Sequence, residues 1–122
     1  MKLHAAVPGT HNTITAYGED YVIVNSERHQ SSLIVLPNKV LEWPVDAFDR
    51  LSKESFSIVE SEKPEILLLG TGPKQRFPHP SLTGPLAAAG IGVEVMDLKA
   101  ACRTYNILVA EERKVAAALL FR

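Results

Sequence analysis

Residues 66–121 repeat a pattern that few folds can hold. Ile66-Leu67-Leu68-Leu69 is a continuous apolar run stopped by Gly70. Unbroken rather than alternating hydrophobicity marks a strand covered on both faces, as in a parallel sheet flanked by helices. A short helix is predicted over 83–89, with Thr83 as N-cap, Pro85 in the first turn and Gly90 at the C′ position. A second strand follows over 91–96. Asp97 suits the N-cap of a helix over 98–111, whose Leu98, Ala101, Cys102, Tyr105, Leu108 and Val109 fall on one face. Lys99, Arg103 and Asn106 point away from that face. Residues 114–121 form a third strand; their alanines and leucines alone also permit helix, and the alternating rhythm decides. The segment is therefore β-α-β-α-β, and right-handed crossovers place its strands parallel.

The first half reads as strands and turns. Thr13-Ile14-Thr15-Ala16-Tyr17, the turn Gly18-Glu19-Asp20 and Tyr21-Val22-Ile23-Val24 make a hairpin signal. Asn25-Ser26-Glu27 is a second turn, and residues 32–36 are a strand stopped by Pro37-Asn38. Residues 40–43 suit a short edge strand closed by Pro44. One helical turn fits 45–51. Residues 52–62 suit a helix capped by Ser52, although Phe56-Ser57-Ile58 alone would fit a strand. The expected fold is one α/β domain over residues 1–122. Its mixed sheet contains the C-terminal parallel unit, and the N-terminal hairpins pack on it.

Composition excludes several classes. The 122 residues are 46% hydrophobic and carry 13 basic and 14 acidic side chains, a formal charge of −1. That balance lacks the basic footprint of a nucleic-acid binder. Residues 1–61 hold five basic and eight acidic residues, and residues 62–122 hold eight and six. No apolar run approaches the ~20 residues of a membrane span, and residues 1–9 lack the apolar centre of a signal peptide. A single cysteine forbids an internal disulfide and suits a reducing, cytoplasmic setting. His4, His11, His29 and His79 show no ligand spacing, so neither a metal nor another cofactor is expected.

The sharpest candidate site is the loop over 70–80. Ligands in open parallel sheets gather beyond the carboxyl ends of the strands. Gly70 and Gly72 permit close backbone approach, and Thr71, Lys74, Arg76 and Phe77 add polar, cationic and aromatic groups. Asp97 ends the next strand, where a dinucleotide fold places its ribose-binding acid; a plain N-cap role competes with this. The third glycine of a dinucleotide fingerprint is missing, since Gln75 stands there, and no Gly-Lys-Ser/Thr follows. Glu94, in mid-strand, either faces solvent near an edge or pairs with Arg76, Arg103 or Tyr105. Cys102 lies on the apolar helix face and reads as an inert core thiol rather than a nucleophile. His79 is the one histidine placed to act as an acid or base, against the plainer reading of an exposed loop residue. Trp43 is either a partner anchor or a tryptophan at the edge of the core.

Three runs carry a family resemblance: Gly70-Thr71-Gly72 with Phe77-Pro78, Gly90-Ile91-Gly92-Val93-Glu94-Val95-Met96-Asp97, and Ala100-Ala101-Cys102-Arg103-Thr104-Tyr105-Asn106-Ile107-Leu108. The chain resembles the poorly characterised Mth-domain family. That family includes bacterial and archaeal proteins of unknown function, an adipogenesis-associated member and a mitochondrial assembly factor of respiratory complex I. The resemblance implies a compact α/β domain whose last segment is a strand, and it supplies no catalytic residues. The mitochondrial member carries a presequence that this chain lacks, which implies a cytoplasmic relative of bacterial type. The resulting expectation is a non-enzymatic binding or assembly module with a protein partner, itself a monomer or weak homodimer. Its surfaces would be the 70–80 loop and the outer side of helix 98–111, including Arg103 and Asn106. The alternative is a small-ligand or anion site, possibly enzymatic, built from Gly70, Thr71, Gly72, Lys74, Arg76, Phe77, Glu94, Asp97 and Arg103.

Overall fold

The computed structural model describes residues 11–122. His4 and the reading of residues 1–9 lie outside the described residues. The element order is β1 (Ile14–Tyr17), β2 (Val22–Val24), β3 (Glu27–His29), β4 (Leu33–Leu36), β5 (Lys39–Glu42), α1 (Ser57–Glu62), β6 (Ile66–Thr71), α2 (Pro80–Ala88), β7 (Gly92–Met96), α3 (Leu98–Ala110) and β8 (Val115–Leu120). Two 3-10 turns, Phe48–Arg50 and Lys53–Phe56, precede α1.

A five-stranded sheet runs β5-β4-β8-β6-β7. β6 is parallel to both β7 and β8, as the β-α-β-α-β rhythm requires. β4 joins antiparallel to β8 and to β5, so the sheet is mixed. Alternate residues of the inner strands face opposite layers. Leu68, Ala117, Leu33 and Val35 meet Ala101, Cys102, Tyr105 and Val109 of α3. Leu67, Leu69, Ala116 and Ala118 meet Leu86 of α2, Val59 of α1, Phe56 and Trp43. The continuous apolar runs of β6 and β8 are thus buried twice over. Trp43 belongs to this core edge: its Nε1 donates to the Ser55 carbonyl at 2.8 Å and its ring leans on Phe56.

The N-terminal hairpins serve two purposes. β4 and β5 lengthen the main sheet. β1, β2 and β3 form a separate antiparallel sheet that packs Ile14, Val22 and Val24 on the α3 side. Asn106 fixes this docking, because its Oδ1 accepts from Ile14 N–H at 2.9 Å and its Nδ2 donates to the Ile14 carbonyl at 2.8 Å. The amide stands in for a neighbouring strand. Asn106 therefore does not belong to the free outer side of the helix, which is left to Lys99, Arg103 and Ile107.

Two further expectations are corrected. α2 begins at Pro80, not Thr83, with His79 as the N-cap and Pro85 inside the helix. Proline at the first position loses no bond, because the first four N–H groups lack intrahelical acceptors anyway. Strand β3 lies where only a turn and its exit were expected. Asn25 and Ser26 both have positive φ, 49° and 80°, the signature of a two-residue hairpin turn that leads directly into a third strand. Among the described residues, no helix is long and apolar enough to cross a membrane.

Candidate functional site

The residues of the 70–80 loop have distinct duties. Gly70 and Thr71 are the last residues of β6. A Cβ on Gly70 would lie 3.0 Å from Ala101 Cβ and 3.1 Å from Leu119 Cδ2, so this glycine lets α3 approach the sheet. Gly72 has φ +87°, and a Cβ there would come within 3.2 Å of the backbone of Phe121 and Arg122. Its carbonyl accepts from Leu98 N–H at 2.8 Å. The close approaches that both glycines allow are therefore made by the chain itself, across the carboxyl ends of β6 and β8.

Thr71 is fully buried and organises the turn. Its Oγ1 donates to the Lys74 carbonyl at 2.6 Å and accepts from Arg76 N–H at 3.0 Å. Lys74 gives this turn its carbonyl, while the residue is exposed. Arg76 stacks over the Phe48 ring at 4.4 Å and lies 3.7 Å from an Asp49 carboxylate oxygen. Gln75, noted only as a missing glycine, reaches sideways: its Nε2 donates to the Val95 carbonyl of β7 at 2.9 Å. Three anchors thus hold a loop whose next residue, Phe77, is 71% exposed.

The remaining candidates divide between two surfaces. Asp97 is the N-cap of α3, its Oδ1 accepting from Ala100 N–H at 2.8 Å. Arg103 is exposed and donates to the Tyr17 hydroxyl at 3.4 Å; that contact raises its already high pKa. Gly72, Asp97 and Arg103 line a cleft of about 340 Å³ with Glu19 and Lys99, between the β1–β2 turn and the start of α3. Phe77 and Glu94 lie elsewhere, in an open groove of about 660 Å³ with Pro78, His79, Val93 and Val95 beside β7. Glu94 is exposed on this edge strand and makes none of the expected pairs: Arg76 turns to Asp49, Arg103 to Tyr17, and the Tyr105 hydroxyl donates to the Asn12 carbonyl at 2.9 Å.

His79 and Cys102 occupy contrasting positions. His79 Nδ1 accepts from Ser81 N–H at 3.0 Å, which makes it a helix cap on an exposed surface. Cys102 is fully buried, and burial pushes its thiol up to about 12. A thiol that stays protonated is no nucleophile. The sequence alone did not single out Gln75 as an anchor or Ile107 as an exposed residue. Ile107, 58% exposed, interrupts the polar face of α3, and its helical spacing is the signal that could have found it.

Comparison with known proteins fixes the lineage. The family model described as "Protein of unknown function (DUF498/DUF598)" matches residues 14–120. The chain belongs to this family. A Bordetella pertussis protein solved by NMR and described as a Mth938-like domain is 36% identical, with TM-score 0.82, over 98% of this chain and 92% of its own. NADH dehydrogenase [ubiquinone] 1 alpha subcomplex assembly factor 3 of Xenopus tropicalis is 34% identical over 109 residues, 88% of this chain. The chain spans about 60% of that relative's length. The 13 kDa major membrane protein of Francisella tularensis is 33% identical over 106 residues, 85% of this chain and 86% of its own.

Proposed function

We propose that the protein is a non-enzymatic binding or assembly module that holds a protein partner through the 70–80 loop. The observation that carries this reading is Phe77, a large aromatic 71% exposed on a loop tied down by Thr71, Gln75 and Arg76. A pre-ordered aromatic loses little conformational freedom on binding, which is why such residues dominate interface energies. The relatives named as complex I assembly factors support a partner of protein nature. In this reading the chain acts in the cytoplasm as a monomer or weak homodimer, as one domain. Recovery of a partner from native cells, followed by reconstitution from purified components, tests it. Phe77→Asp should abolish the reconstituted complex and leave the fold intact. Failure to reconstitute any complex, with no cellular effect of Arg76→Ala and Phe77→Ala together, would overturn the reading.

The 340 Å³ cleft favours a second reading, a small polar ligand held among Lys99, Arg103, Glu19 and Asp97. Thermal-shift screening with phosphate, carboxylates and nucleotides decides it. A true ligand at 100 times its Kd adds about 2.7 kcal/mol of stability, and a flat screen excludes it.

A further inference from the structure

We infer that β7 is a docking edge for an extended segment of another protein, one carrying a lysine or arginine among alternating apolar residues. This deepens the reading of the loop as a protein-binding surface and rests on it.

The two edges of the main sheet differ in how they are defended. β5 presents exposed Lys39 and Glu42, and Lys39 is paired with Glu62 at 3.2 Å. Charged side chains of this kind discourage strand addition. β7 carries a single charge, Glu94, and among the described residues pairs only with β6. Gly92 N–H donates inward to the Glu65 carbonyl at 3.0 Å. Peptide groups alternate in direction along a strand, so those of Val93 and Val95 point outward. Gln75 confirms the geometry, because its side-chain amide donates to the outward Val95 carbonyl just as a neighbouring strand would.

The surroundings select the occupant. Val93 and Val95 turn their side chains towards α2, on the face where Phe77, Pro78 and Pro80 wall the groove. Apolar side chains of an added strand would lie between them. Glu94 lies between Val93 and Val95 on the rim of the same groove, exposed, and strand alternation turns its side chain to the other face. A second copy of this chain, paired antiparallel about Glu94, would set two carboxylates face to face, which disfavours pairing. A cationic residue there is favoured instead. The partner is thus a foreign, basic-apolar strand added by main-chain hydrogen bonds.

The experiment uses the full chain and a displayed library of random nine-residue peptides. Enriched peptides should alternate apolar residues with a lysine or arginine, and their titration should shift the amide resonances of Val93, Val95 and Phe77. Val93→Pro removes an outward N–H, a change that an edge strand accepts, and should weaken binding roughly tenfold. Glu94→Lys, an exposed charge reversal, should turn selection towards aspartate and glutamate, and it serves even if the proline variant misfolds. Gln75→Ala, which frees the Val95 carbonyl, should tighten binding. If Glu94→Lys and Val93→Pro bind the reconstituted partner as the wild type does while Phe77→Asp does not, the edge is refuted and the binding module stands. Self-association through β7, or selection with no charge preference, also refutes the edge. If no peptide and no protein binds, both readings fall.

Discussion

At the residue scale, the buried thiol of Cys102 gives a pH prediction. Its pKa rises from an ordinary 9.0 to about 12 because burial penalises the thiolate. Between those values the unfolded chain loses its proton while the folded chain keeps it. Stability is then fully present below pH 9 and falls as pH climbs towards 12, with a slope approaching roughly 1.4 kcal/mol per pH unit. Tyr105, also raised by burial, adds to the decline above pH 10. Urea unfolding at pH 8, 9 and 10 measures the slope, and Cys102→Ala should flatten it. An unchanged slope in the variant would show that the thiol is not protected. The sequence revealed this burial through helical spacing, which puts Cys102 between Ala101 and Tyr105 on the apolar face. It did not reveal Asn106, because a polar residue beside an apolar face gives no sign of whether its amide meets water or a strand 92 positions away.

At the element scale, regular patterns were readable and irregular ones were not. β6, β7 and α3 are readable because hydrophobic periodicity reports burial directly, whereas the alanine-rich β8 is assigned only by the alternating rhythm around it. β3 escaped because Glu27-Arg28-His29 is short and polar, and only its pairing with β2 makes it a strand. α2 starts three residues before Thr83 because Pro80, not Pro85, is its first-turn proline. The corrected start gives His79 a structural duty. Removing a capping acceptor exposes an unsatisfied N–H, so His79→Ala should cost about 1 kcal/mol. His79→Asn, which also offers an acceptor, should recover most of it. Chemical denaturation of the three proteins checks the order; equal stability of all three would mean that Pro80 alone sets the helix start.

At the scale of the whole molecule, three layers meet at β8, and its alanines show how closely. Ala116, Ala117 and Ala118 are completely buried in a strand with neighbours on both sides and cover on both faces. Alanine is a poor strand former, and in the sequence this run was compatible with helix. What overrides local preference is space: even a Cβ on Gly70 would crowd Ala101 across the α3 interface, and Ala117 lies in the same layer with Leu68, Cys102 and Tyr105. The same closeness brings residues 121 and 122 against Gly72 at the carboxyl end of β6, the part most suggestive of a ligand site in the sequence. Sequence patterns mark strand ends, but they do not register which chain segment returns to cover them. If packing sets the identity of these residues, a larger side chain at Ala117 must displace α3 or strain its own rotamer. Ala117→Leu should then destabilise the fold by about 1–3 kcal/mol, although it raises both hydrophobicity and intrinsic strand preference. Ile107→Glu, on the exposed side of the same helix, should change stability by no more than about 0.5 kcal/mol. Urea midpoints of the two variants separate the alternatives: a stabilised Ala117→Leu would mean that strand propensity, not interlayer distance, governs β8.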